Sequence, residues 1–217
     1  QKVMRRADVD IRYSEGFSPH QIMSFAAPLG VGLESRGEYV DIEVLSTDSS
    51  KEMLRRINEN MVEGMEALSY KALPDDAGNA MSLVAAADYE VRFREGYEPA
   101  DPDSFFDGIK TFLDQEEIVI VKKTKKGERE LDLKPLIYDF TISEVCNSCG
   151  DSGIIFSLLV STGSTDNIKP ELVLDHFFRS MGKTDLGRYD FFIHREDMLT
   201  GQAPDFVSLG EIGHDKE

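Results

Sequence analysis

The chain has 217 residues, of which 41% are hydrophobic and 30% charged, a profile typical of folded rather than disordered proteins. The net charge of −17 repels nucleic acid phosphates, which disfavours a general RNA or DNA binder. No apolar run approaches the roughly 20 residues that cross a bilayer, and no secretory leader opens the sequence. We therefore expect a cytoplasmic protein without membrane contact.

The first residues predict the end of a helix. Residues 1–7 contain apolar Val3 and Met4 beside three cationic side chains, which suits a helix C-terminus. Because such a helix would begin on its first residue, we expect that the chain lacks its natural N-terminus.

The first half alternates extended segments with one well-signalled helix. Ser49 or Ser50 is a helix cap, Gly64 is the expected helix end, and four apolar residues between them follow helical spacing: Met53, Leu54, Ile57 and Met61. Extended segments are predicted at residues 9–13, 22–27, 38–45 and 65–73. With a restored opening strand, residues 1–75 would form a β-α-β-β-α-β unit of the ferredoxin-like type.

The second half repeats this order of elements. Residues 76–88 are the expected linker, within which residues 81–87 fit either a helical turn or a strand entry. Strands are predicted at residues 89–93, 138–145, 154–161 and 189–193, helices after residue 101 and at 170–181, and a hairpin at 118–121 and 130–137. The predicted fold class is therefore α+β, with two ferredoxin-like domains in tandem. The first lacks its opening strand, the second spans residues 89–199, and residues 200–217 form a frayed polar tail.

One loop concentrates side chains that carry chemistry, over Tyr13, Ser14, Glu15, Gly16, Phe17, Ser18, Pro19 and His20. Glu15 and His20 could form an acid–base pair, with glycine and proline shaping the turn. The alternative is an ordinary turn that carries a surface histidine.

The same run resembles the recurrent motif YSEGF(N/S)PHP of a radical-SAM-linked bacterial family of unknown function. The likeness continues through residues 28–32 and 34–42 and returns at residues 130–137, which resemble its segment E-(I/L)-D-(I/L)-(R/K)-P. Two departures are Gln21, where the motif has its second proline, and the absence of the family's opening strand with its histidine-leucine-aspartate segment. The resemblance implies a companion of a radical SAM enzyme, in a setting of RNA processing and ribosomal proteins, and it brings no established catalytic residue or cofactor.

Two further features have both functional and ordinary interpretations. Lys122, Lys123, Lys125 and Lys126 form a basic hairpin tip that suits a phosphate or an acidic partner, or else a solvated turn that discourages edge-to-edge pairing. Cys146 and Cys149 form a single CxxC, which is either a redox pair, half of a zinc site, or two incidental thiols. His194 and Arg195, expected just after the last strand, are a weaker anion site.

These observations leave three functions. The first is an auxiliary or substrate-presenting module for a radical SAM enzyme, inactive alone, which acts in RNA or ribosome modification. The second is an RNA-binding or RNA-cleaving protein in which Tyr13 and His20 serve as acid and base. The third is a thiol or metal protein built on the CxxC. Only two cysteines are present, so the chain lacks the three closely spaced cysteines of a radical SAM catalyst.

Overall fold

The computed structural model describes residues 1–99, 101–124, 127–146, 152–163 and 166–217. The helices of this part are α1 (Lys2–Arg6), α2 (Ser50–Glu59), α3 (Ala80–Leu83), α4 (Asp103–Leu113) and α5 (Pro170–Ser180). The strands are β1 (Met23–Phe25), β2 (Glu34–Ser35), β3 (Val40–Ile42), β4 (Ala86–Phe93), β5 (Val119–Thr124), β6 (Gly127–Asp132), β7 (Ile137–Cys146), β8 (Ser152–Ser161), β9 (Phe191–Gln202) and β10 (Asp205–Ser208). The predicted α+β class is confirmed. None of these helices is long and apolar enough to cross a membrane.

A mixed sheet organises most of the molecule. Its antiparallel strands follow the order β10-β9-β4-β8-β7, and β2 joins the edge of β9 in parallel. Alternate residues of β4 point to one face, where Tyr89, Val91 and Phe93 are buried. Four phenylalanines of α4 and α5 pack on this face, among them Phe105 and Phe177, which are completely buried. The main hydrophobic core therefore lies between this sheet and the two helices.

A smaller core lies in the first half of the chain. It joins Met4 and Ala7 near α1 to Met53 and Ile57 of α2, with Ile11 beside them. Short strands β1 and β3 pair antiparallel, and a bridge between Ile11 and Val44 extends this pairing. The two cores are separate clusters of buried side chains.

Several predicted boundaries differ from those of the structure. Ser49 caps α2 as predicted, by accepting a hydrogen bond from the Glu52 amide at 3.3 Å. However, α2 ends at Glu59 rather than near Gly64, because the Asn60 side chain donates to the Arg56 carbonyl at 3.0 Å and closes the last turn. Residues 65–73 were predicted as a strand, but no strand lies there in the described structure. Their β pairing with other described residues is a single bridge, between Ala72 and His214.

The C-terminal segment is paired rather than frayed. Strand β9 continues to Gln202, and β10 returns antiparallel beside it. The amide of Lys216 then donates to Ser50 Oγ at 2.8 Å, at the start of α2. Polar composition predicted a frayed end here, but backbone pairing within a hairpin does not require apolar side chains. The expected linker is also structured, since it contains α3 and the start of β4. Residues 81–87 therefore include both a helical turn, at their beginning, and a strand entry, at their end.

Candidate functional site

The loop of residues 13–20, which we call the motif loop, is closed by backbone pairing at its base. Tyr13 pairs with Gln21 in an isolated antiparallel bridge. The Ser14 amide donates to the His20 carbonyl at 2.8 Å, and the Ile22 amide donates to the Arg12 carbonyl at 2.9 Å. These bonds hold the two ends of the loop together, so that its tip projects from a defined base.

One face of this base carries Ser14 and His20. Ser14 Oγ lies 2.8 Å from His20 Nδ1 and also accepts the His20 backbone amide at 3.1 Å. Because the hydroxyl oxygen accepts the amide, its proton is available for Nδ1. The hydroxyl can donate to Nδ1 or accept its proton, according to the tautomer of the ring, so Ser14 orients the imidazole in either case.

The opposite face carries Tyr13 and Gln21. Gln21 Nε2 donates to the Tyr13 hydroxyl at 3.5 Å, while Gln21 Oε1 is buried and has no hydrogen-bond partner within the described residues. Tyr13 also lines a polar cavity of about 520 Å³, which it shares with Asp10, Asp48 and Arg56 among others. Tyr13 lies opposite Gln21 in the bridge, and His20 is the residue before Gln21. Because neighbouring residues of an extended chain alternate in direction, Tyr13 and His20 point to different faces.

The tip of the motif loop is open to solvent. Phe17 is fully exposed, at 111% of its reference area. Gly16 has φ of +112°, a conformation that glycine adopts without strain. Glu15 and Pro19 are also exposed, and no hydrogen bond or ion pair joins Glu15 to His20 in the described part of the chain. The two side chains are therefore not bonded to each other here, and their role as an acid–base pair stays a prediction.

The second part of the sequence resemblance lies elsewhere and makes many contacts. Residues 34–41, which we call the clasp, run along β9, with β2 pairing Glu34 and Ser35 to His194 and Arg195. The Tyr39 hydroxyl donates to Asp197 Oδ1 at 2.5 Å. Gly37 lies against the backbone of β9, where a Cβ atom would come within 2.5 Å of Asp197 Cα. The clasp therefore attaches the first half of the chain to the main sheet.

Arg195 is the centre of this attachment. It is buried at 3% exposure, its Nε donates to Glu38 Oε1 at 2.9 Å, and its Nη2 donates to the same oxygen and to the Ala27 carbonyl. Burial raises the pKa of the neighbouring Tyr89 phenol, although Arg195 opposes this shift. Arg195 lies within β9 rather than after it, and its Nε and Nη2 atoms donate inside the protein, an arrangement that does not favour the predicted anion-binding role.

The other predicted sites are described only in part. Lys125 and Lys126 lie outside the described residues, and of Lys122 and Lys123 only the backbone is described, in β5. Cys149 also lies outside, and of Cys146 only the backbone is described, at the end of β7. Within the described residues, no group of three or more His, Cys, Asp or Glu side chains is arranged to hold a metal ion.

Comparison with known proteins gives a family. Residues 1–170 match the model of DUF2344, described as an uncharacterized protein conserved in bacteria, and the chain belongs to this family. The matched region contains both the motif loop and the clasp, whereas strand β9 that receives the clasp follows it. No curated protein matches the chain.

Proposed function

We propose that this chain is an accessory module that docks on a radical SAM enzyme through the motif loop and presents an RNA or ribosomal substrate to it. The nature of the partner rests on the sequence resemblance over residues 12–44 and 130–137. The geometry guides the choice of docking surface, because it distinguishes residues that hold the fold together from residues that do not.

The full exposure of Phe17 is the observation that carries the proposal. An apolar ring in water forgoes roughly 1.5–3 kcal/mol of burial free energy, which a partner recovers if it encloses the ring. Aromatic residues of this kind are common centres of protein interfaces. The backbone pairing at the loop base restricts the ends of the loop before binding, which lowers the entropic cost of docking.

His20 adds a polar contact to this surface. With Nδ1 bonded to Ser14, the exposed ring presents its Nε2 atom to the partner at a fixed orientation. An exposed aromatic ring beside an oriented polar group suits recognition of a protein surface, where an apolar anchor is surrounded by polar contacts.

The RNA-cleaving alternative has less support. Its chemistry requires Tyr13 and His20 to act on one phosphate, but Tyr13 bonds to Gln21 on one face and His20 to Ser14 on the other. The net charge of −17 also opposes RNA binding by this chain alone. The third alternative, a thiol or metal protein, depends on Cys149 and stays a prediction.

The fold can also be proposed in more detail than its α+β class. We propose that residues 86–202 form a ferredoxin-like unit with an added hairpin, which the antiparallel order β9-β4-β8-β7 supports. A second such unit, lacking its opening strand, would use the antiparallel contact of residues 10–12 with 43–45 together with α2. A solved structure of the chain with its partner tests both units.

A pull-down from the native bacterium tests the docking proposal. Tagged wild-type chain should capture a protein that carries the three closely spaced cysteines of the radical SAM cluster, identified by mass spectrometry. Phe17→Ala should lose most of this capture. Tyr189→Ala is the matched control, because Tyr189 is another exposed aromatic residue, at 82%, and should capture as wild type does.

Two outcomes would contradict the proposal. If no radical SAM protein is captured under anaerobic conditions, the partner is wrong. If Phe17→Ala captures the enzyme as well as Tyr189→Ala does, the partner stands but the motif loop is not the contact. Circular dichroism and thermal melting of both variants show that any loss is not due to unfolding.

A further inference from the structure

A cavity of about 620 Å³ opens between α5 and the start of β9. We call it the α5 pocket, and its lining includes the following side chains: Lys169, Glu171, Leu172, Leu174, Phe178, Leu186, Arg188, Phe191 and Ile193. Its volume falls in the range of about 300–1,000 Å³ that is usual for small-molecule sites. None of its lining residues belongs to the motif loop or to the clasp.

The walls of the α5 pocket are mainly apolar. Leu174 and Phe178 of α5 are buried, and the ring of Phe178 stacks on that of Phe191, with centroids 5.2 Å apart and planes at 4°. Leu172 and Leu186 continue the apolar surface and are only partly buried. Such walls favour an organic group with an apolar body over an inorganic ion.

Four charged side chains line the pocket, the basic Lys169 and Arg188 and the acidic Glu171 and Asp175. Of these, Glu171 has a buried atom, Oε2, without a hydrogen-bond partner among the described residues. Its Oε1 atom lies 3.4 Å from Arg188 Nε, too far for a strong bond, and Arg188 Nη2 is engaged by the Val31 carbonyl. A buried carboxylate oxygen without a donor is unfavourable, so a ligand that supplies a donor there removes this penalty.

We propose that the α5 pocket binds a small organic cation, with an apolar body against Leu172, Leu186 and Phe178 and an ammonium or amidinium group on the Glu171 carboxylate. A neutral ligand would satisfy the oxygen with a weaker bond, and a carboxylate would repel it. The proposal stands apart from the accessory function, since it uses different residues and a different element of the fold.

Calorimetric titration of the full chain tests the pocket with three probes of similar shape. These are phenethylamine, the neutral 2-phenylethanol and the anionic 3-phenylpropanoate. The amine should bind about tenfold more tightly than the alcohol, as expected for a hydrogen bond to a charged group, and the anion should bind weakest.

A pair of matched variants locates the binding. Glu171→Gln should lower the affinity for phenethylamine to that of the alcohol and leave the alcohol unchanged. Glu116→Gln removes the same charge at an exposed position outside the pocket and should change neither affinity. Leu172→Trp, which fills the pocket at a partly buried position, should abolish binding of both and serves if Glu171→Gln does not fold.

Three results would overturn the proposal. The first is the absence of binding by any probe at millimolar concentration. The second is equal affinity for the amine, the alcohol and the anion, which would remove the role of Glu171. The third is amine binding that survives Leu172→Trp or that falls equally in Glu171→Gln and Glu116→Gln, which would place it elsewhere on the acidic surface.

Discussion

The motif loop and the clasp lie within one continuous stretch of family resemblance, yet their surroundings are opposite. In the described part of the chain, the hydrogen bonds of residues 13–20 stay within the loop and its base, between residues 13 and 21, and the Phe17 ring is in solvent. The clasp instead reaches elements far along the chain, since Glu38 bonds to Arg195, Tyr39 to Asp197, and Asp41 to the Ala80 amide at 2.6 Å.

This difference separates two reasons why a motif recurs. Each clasp residue named above has a partner whose loss would disturb the fold, so its presence needs no further function. Among the described residues, the exposed side chains of the motif loop have no such partner beyond the loop, which is why we propose that they contact another molecule. The following predictions test this comparison, first through the free energy of unfolding and last through binding to a partner.

Arg195→Ala should give the largest loss of stability. The substitution removes a buried cation and leaves the Ala27 carbonyl and the partly exposed Glu38 carboxylate without their donor, a change that should cost about 3 kcal/mol. Urea unfolding followed by circular dichroism measures this loss. Arg36→Ala is the control, because the Arg36 side chain is 74% exposed and 3.9 Å from Glu196, and should cost less than about 1 kcal/mol. Equal losses would show that the clasp is not held by its buried pair.

Gly37→Ala should come next. The added Cβ would lie 2.5 Å from Asp197 Cα and 2.8 Å from the Glu196 carbonyl oxygen, so the clasp must move away from β9. Overpacking of this kind costs about 1–3 kcal/mol. The same substitution at Gly30 meets only Leu33 at ordinary contact distance, 3.6 Å, and should be close to neutral. A crystal structure of Gly37→Ala in which β2 keeps its pairing with β9 would contradict this reasoning.

Tyr39→Phe should cost about 1–2 kcal/mol, because it deletes the hydrogen bond to the Asp197 carboxylate. Burial and then this carboxylate raise the pKa of Tyr39 above its usual value of 10.0. The stabilising effect is therefore complete below pH 10 and declines as the pH rises through the folded-state pKa. Unfolding free energies of both proteins between pH 8 and 11 measure this, and a difference that grows with pH would be the wrong sign.

Asp88→Asn should stabilise the protein slightly at neutral pH. Burial raises the pKa of Asp88, and the carboxylate of Glu196 raises it further, so the charged form is disfavoured in the folded state. A group with a raised pKa favours folding below its unfolded value of 3.8 and loses this contribution as the pH rises. The gain at pH 7 should be less than about 1 kcal/mol, since the site is partly solvated, and should shrink towards pH 4. A loss of stability at pH 7 would show that Asp88 makes a favourable contact.

The sequence predicted local elements better than distant ones. Ser49 and the spacing of Met53 and Ile57 correctly placed the start of α2, because caps and helical periodicity act over a few residues. The alternation in β4 was visible for the same reason. In contrast, the Glu38–Arg195 bond joins residues 157 positions apart, and the pairing of β2 with β9 joins residues at a similar separation. Contacts between such distant residues leave no local sequence pattern. The motif loop was found as a feature of composition, but the opposite directions of Tyr13 and His20 required the backbone register.

Phe17→Ala should have the smallest effect on stability, within about 0.5 kcal/mol, because a fully exposed ring gains little by folding. Phe25→Ala provides a graded comparison at a half-exposed aromatic residue of β1, and should cost more. Urea unfolding of both variants measures the difference. A loss above about 1 kcal/mol for Phe17→Ala would mean that the ring packs on the protein, and the motif loop would then join the clasp as a structural segment. An unchanged stability together with lost capture of the enzyme is the combination that only an external contact produces, and it would establish the motif loop as the part of this stretch that faces a partner.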